Sequence, residues 1–171
     1  MSSSSRSASE RVSLKIVQPE TPAQIGEAGK LFTEYASSLG FSLCFQGFDK
    51  ELAELPGGYS PPDGRLLLAY SEQSSGQETA GCVALHKLEP GICEMKRLFV
   101  RPAFRGKGIG KMLAEAIIAE ARGIGYRSMR LDTVQPIMKE AVKMYRVLGF
   151  REISPYCVNP IAGALYMELQ L

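Results

Sequence analysis

The residues most suited to chemistry lie in one short run, Arg105-Gly106-Lys107-Gly108-Ile109-Gly110, followed by Lys111. The run falls between a predicted strand and a predicted helix, where unpaired backbone N–H groups and the helix dipole can hold an anion. Glycine at 106, 108 and 110 lets that backbone come close to a ligand, and Arg105, Lys107 and Lys111 add positive charge. A phosphate-bearing ligand is one reading; a glycine-rich turn used in packing is the other. Two common nucleotide loops do not fit. The Walker pattern fails because Met112 follows Gly110-Lys111 where Ser or Thr is required. The dinucleotide pattern G-x-G-x-x-G also fails: its third glycine place is Lys111 or Leu113, depending on the start.

The flanking elements must position this loop. A strand is predicted over 14–17, then a helix with Thr21 as N-cap and Pro22 at its first position, ending at Gly40. A short helix is expected over 48–55 and a buried strand over 66–70. The polar stretch 71–79 reads as a hairpin connection, followed by strands over 80–88 and 92–100 joined by the turn Glu89-Pro90-Gly91. The glycine loop then opens a helix ending near Gly123 and Gly125. A strand over 127–131, a helix over 136–148 capped by Gly149 and strands over 150–153 and 164–169 complete the order. That order is α+β, or mixed α/β, with a parallel strand-loop-helix-strand unit over 92–131.

Composition sets the remaining bounds. The chain has 171 residues, 45% hydrophobic and 22% charged, with 20 basic against 18 acidic side chains and a net charge of +2. This length suits one domain over residues 12–171 after a disordered serine-rich tail at 1–11. Without basic runs, nucleic acid is not an expected partner, and without a ~20-residue apolar stretch neither is a membrane. Cys44, Cys82, Cys93 and Cys157 are scattered, with no C-x-x-C pair, and His86 is the single histidine. Free thiols, no metal site and a cytoplasmic location are expected. His86 itself reads as a structural residue on a strand.

The segment from Glu94 through Gly110 resembles the acetyl-CoA-binding core of the GNAT family of N-acetyltransferases, whose R/Q-x-x-G-x-G/A pattern is met by Arg105, Gly108 and Gly110. Residues 141–150 are similar to a later motif of that family, with Tyr145 on a helix and Gly149-Phe150 after it. The resemblance implies a mostly antiparallel sheet of about seven strands, splayed between the fourth and fifth and flanked by about four helices. It implies acetyl-CoA bound through the backbone of Leu98, Phe99 and Val100 and through Arg105, Gly106, Lys107, Gly108, Ile109, Gly110 and Lys111. No metal is implied. Glu94 corresponds to a strand glutamate that serves some relatives as base, Tyr145 to the general acid that protonates the leaving thiolate. The alternatives are a strand carboxylate paired with Lys96 or Arg97, and a core aromatic. Met138 stands where many relatives carry a CoA-contacting asparagine.

The same resemblance places the acceptor between the first helices and the loop before the last strand. Tyr156 and Asn159 in that loop either orient a polar acceptor or stiffen a turn, and residues 41–48 supply the opposite wall. A small-molecule primary amine is the expected acceptor, attacked directly in a ternary complex by a monomer or homodimer. A protein lysine or N-terminus, or a non-catalytic CoA sensor of the same fold, are the alternatives.

Overall fold

The computed structural model describes residues 13–73 and 76–171; the tail expected over 1–11 lies outside them. Seven strands form one sheet in the order β1-β2-β3-β4-β5-β7-β6. They are β1 (Ser13–Val17), β2 (Arg65–Gln73), β3 (Gly76–Glu89), β4 (Ile92–Val100), β5 (Ser128–Val134), β6 (Arg151–Ile153) and β7 (Ala164–Gln170). The helices are α1 (Pro22–Ser38), α2 (Phe48–Glu54), α3 (Ile109–Ile124) and α4 (Lys139–Val147). Among the described residues only β4 and β5 run parallel; every other pairing is antiparallel. This is the mixed α+β sheet and helix set expected above.

Local chemistry accounts for the starts and stops. Thr21 and Gln24 form a reciprocal capping box, and Pro22 needs no N–H donor at its position. Gly125 ends α3 in the left-handed region at φ 104°. Gly123, expected as a stop, lies inside that helix, because an isolated glycine weakens a helix without ending it.

Both sheet faces are covered, so β2 reads as an unbroken apolar run. Leu66 and Leu68 join Ala28, Leu31 and Phe32 of α1 in one core; Leu67 and Ala69 join Leu113 and Ile117 of α3 in the other. The polar stretch 71–79, expected as a connection, is mostly strand: Tyr70 pairs with Thr79, Ser71 with Glu78 and Glu72 with Gln77. Ladder hydrogen bonds extend the hairpin even where both flanking side chains are polar. α4 starts at Lys139, three residues after the expected Pro136. Among the described residues no helix is long and apolar enough to cross a membrane.

Two irregularities in β4 prepare the site. Parallel pairing with β5 is confined to Ile92, Cys93 and Glu94 against Ser128, Met129 and Arg130. Past Glu94 the two strands diverge, leaving the β5-facing backbone of β4 without a strand partner. Second, Lys96 faces Ala84 while Phe99 faces Cys82, so β4 spends one residue more than β3 over this interval. That β-bulge is centred on Arg97, the single non-glycine at positive φ (60°) among the described residues. It resets the alternation, returning Leu98 to the α3-side core and Phe99 to the α1-side core.

Candidate functional site

Where β4 and β5 part, a cleft of about 1040 Å³ passes between residues of both cores. Tyr35, Phe41, Leu43, Phe45 and Gln46 wall it on the α1 side, Ile109, Met144 and Tyr145 on the α3 and α4 side. Leu98, Phe99, Val100, Arg105, Gly106, Gly108, Gly110, Lys111 and Asn159 also line it. Of the ten residues expected to bind the cosubstrate, only Lys107 lies off the wall; its amine sits 5.7 Å above the Phe104 ring.

The loop has the geometry its glycines allow. Gly106 and Gly108 hold φ of 79° and 78°, and Gly108 is the N-cap of α3. The first helical bond runs from Met112 N–H to the Gly108 carbonyl, so the amides just before it face outward from the helix start. Gly110 brings its Cα close to Val100: a Cβ there would stand 3.7 Å from Val100 Cγ2. Arg105 folds back, donating from Nε to the Val100 carbonyl at 3.0 Å. Backbone donors, local cations and an open strand edge thus occupy one cleft, an arrangement suited to a long ligand with phosphates at one end and hydrogen-bonding amides along its arm.

Across the cleft, Tyr145 is buried on α4 and its ring lies 5.6 Å from that of Phe150. Burial pushes its hydroxyl pKa up, so it stays a proton donor above neutral pH. The side chain is therefore a core aromatic and a cleft wall together. Met138 lines the cleft too, accepting the Thr133 hydroxyl on Sδ at 3.1 Å.

Glu94 is 5% exposed and sits in a hydrogen-bonded cage. His86 Nε2 lies 2.8 Å from Oε1, Lys96 Nζ 3.5 Å from the same oxygen, and the Tyr156 hydroxyl donates to Oε2 at 2.7 Å. Burial alone would raise the Glu94 pKa; the His86 hydrogen bond, the Lys96 charge and the Tyr156 hydroxyl together hold it at about 2. Asn159 donates to Asp132 Oδ2 at 3.0 Å and also accepts from the Ile161 amide. The loop before β7 is thereby tied to both diverging strands, and Tyr156 and Asn159 stiffen it through these contacts. Arg130 pairs with Glu168 at 2.7 Å and lies over the Tyr156 ring.

Sequence reasoning missed three participants. Arg97 is 4% exposed, donates to Glu51 at 2.9 and 3.3 Å and to Gln46 at 3.0 Å, and lies over the Tyr35 and Phe48 rings. Glu51 also accepts the Tyr59 hydroxyl. His86 meets Glu94 only because of a second register shift, between Lys87 and Glu89. An unshifted hairpin about Pro90-Gly91 would set Lys87 opposite Glu94; the shift puts His86 there instead. The two-residue turn was the available signal, and the shift concealed the partner.

Comparison with known proteins agrees with this geometry. Residues 31–150 match the acetyltransferase (GNAT) family. The chain is 39% identical to an uncharacterized N-acetyltransferase of Schizosaccharomyces pombe, covering 92% of this chain and 95% of the relative. Among solved structures, a GNAT-family acetyltransferase of Staphylococcus aureus superposes with a TM-score of 0.72 at 18% identity, covering 92% of this chain and 99% of that one. A Salmonella typhimurium protein solved with its cofactor acetyl-CoA superposes at 0.65, also at 18% identity, with 92% and 93% covered.

Proposed function

The chain belongs to the GNAT family of acetyltransferases, and from that premise we propose that it moves the acetyl group of acetyl-CoA to the primary amine of a small molecule, by direct attack in a ternary complex. The observation carrying this reading is the parting of β4 and β5 just past Glu94, with the glycine loop and Tyr145 on the walls of the resulting cleft. The 105–111 amides and cations hold the phosphates, and the β5-facing edge of β4 at 98–100, where Arg105 already meets the Val100 carbonyl, hydrogen-bonds the pantetheine arm. Tyr145 gives its proton to the departing sulfur. Glu94, buried behind Lys96, takes a proton from the acceptor amine through water, while Tyr156 and Asn159 hold the acceptor-side loop in place. Phe41, Leu43 and Phe45 enclose that end, which favours a small acceptor over a folded protein surface.

Thiol release from acetyl-CoA, assayed against panels of small amines and of lysine-bearing or free N-terminal peptides, tests the proposal. Turnover with small amines alone is expected. Turnover confined to peptides would transfer the assignment to protein acetylation, and cosubstrate binding without turnover would make the fold a sensor.

Gly108→Val tests the loop. A left-handed conformation costs an L-residue about 1–2 kcal/mol, although among the described residues no atom lies within 4 Å of the added Cβ. Moving the helix start to relieve that strain displaces the amides, so acetyl-CoA affinity by calorimetry should fall at least about tenfold. Unchanged affinity would remove the loop from the binding site.

Glu94→Gln should lower kcat/KM at pH 7 by about 10²-fold. It also tests linkage. The folded-state pKa lies below the unfolded value, so the carboxylate stabilises the fold above about pH 4.5 and loses that contribution as pH falls toward 2. Acid unfolding between those pH values should be shallower in Glu94→Gln; identical curves would contradict the cage around this carboxylate.

A further inference from the structure

Acetylating an ammonium group leaves one proton over. The nitrogen sheds two protons as its C–N bond forms and the C–S bond breaks; the sulfur ends with one, and the other must reach solvent. Glu94 and His86 do not wall the main cleft. They line a second, polar pocket of about 370 Å³ beside it, which shares Gln46 and Lys96 with the first.

The hydrogen bonds of His86 show what this pair can do. Nε2 lies 2.8 Å from Glu94 Oε1, and Nδ1 lies 2.9 Å from the Lys87 carbonyl. A neutral imidazole has one N–H and cannot donate to two oxygens. Both contacts are made when a second proton lies between Nε2 and Oε1, whichever atom carries it. After that proton leaves, the ring keeps only one of the two bonds. The contact therefore loads and unloads a single proton.

We infer that His86 relays the surplus proton of the acceptor amine from Glu94 to solvent through the smaller pocket, an inference that rests on Glu94 acting as the base. Among the described residues no other titratable side chain bonds the ring. Lys96 and the Tyr156 hydroxyl act on Glu94 from β4 and from the loop before β7. The Tyr59 ring meets the imidazole edge-on at 6.0 Å, and Lys50, Glu51 and Glu54 of α2 face it across the pocket, with Arg97 held behind Glu51. A low-lying carboxylate does not retain a proton, so a second acceptor beside it gives the proton somewhere to go.

His86→Gln keeps an N–H donor for Glu94 but cannot carry a proton. At pH 7 its kcat should fall about tenfold with KM for both substrates nearly unchanged. The loss should shrink toward pH 9.5, where more of the amine arrives neutral. Imidazole in the buffer should restore His86→Ala. Wild-type kcat at pH 7, or an equal loss at every pH without imidazole rescue, would overturn the relay. A readout independent of turnover comes from the ring itself, because His86 is the only histidine. In ¹⁵N-labelled protein, a downfield proton shared between Nε2 and Glu94 should appear beside the Nδ1 proton as the pH is lowered, and should vanish in Glu94→Gln. Its absence from the wild type overturns the relay even if acetyl transfer is confirmed; its presence without acetyl transfer to any amine would instead sink the functional reading.

Discussion

Tyr145→Phe is expected to lower kcat about 10²-fold, while KM for acetyl-CoA and thermal stability stay near the wild type. The substitution removes one oxygen and leaves the ring that packs beside Phe150. A hundredfold loss corresponds to about 2.7 kcal/mol of transition-state stabilisation, within the range a positioned proton donor supplies. Burial raises the hydroxyl pKa, so the protonated donor persists on the alkaline side and wild-type kcat should not decline there up to the ordinary tyrosine pKa of about 10. Saturating both substrates and following thiol release from pH 6 to 10 checks both statements. A kcat within threefold of wild type would return Tyr145 to a purely structural role.

Glu51→Ala should be the most destabilising single change around the site. Arg97 is buried, and Glu51 supplies both a charge and two hydrogen bonds to it. Burial would lower the Arg97 pKa, but Glu51 raises it beyond its usual value, so the guanidinium stays charged. Removing one member of a buried pair leaves an uncompensated ion and costs about 3 kcal/mol or more. For a chain of this size that lowers Tm by roughly 10 °C. Because Arg97 forms the bulge, the same change should also disturb the β4 backbone and weaken acetyl-CoA binding. Glu51→Leu combined with Arg97→Met removes both charges and should regain most of the lost Tm, since a buried pair contributes little net stability over apolar replacements. A Tm shift under 2 °C in Glu51→Ala would show that the guanidinium finds its compensation elsewhere.

These two residues differ in how they could be found. The placement of Tyr145 on a helix with a glycine stop was legible in the sequence because its context is local: an amphipathic helix and, four residues on, Gly149 at φ 101°. The same holds for the 105–110 loop, where glycine at positive φ and a following helix start are matters of adjacent residues. Arg97 carried no such mark. Positive φ normally selects glycine, and here a 46-residue separation in sequence hides the carboxylate that holds an arginine in that conformation.

By itself, the sequence determined the alternation of elements, the unbroken apolar strands of a sheet covered on both faces, the glycine loop and its helix, and the family resemblance those motifs carry. Periodicity, capping and turn chemistry act over a few residues, so the chain displays them directly. Tertiary structure alone decided that β4 and β5 part after Glu94, that the bulge turns Arg97 toward Glu51, and that a register shift sets His86 rather than Lys87 against Glu94. A one-residue slip reassigns side chains to new partners or opposite faces while leaving composition and local pattern untouched, so it is settled only when the strands meet.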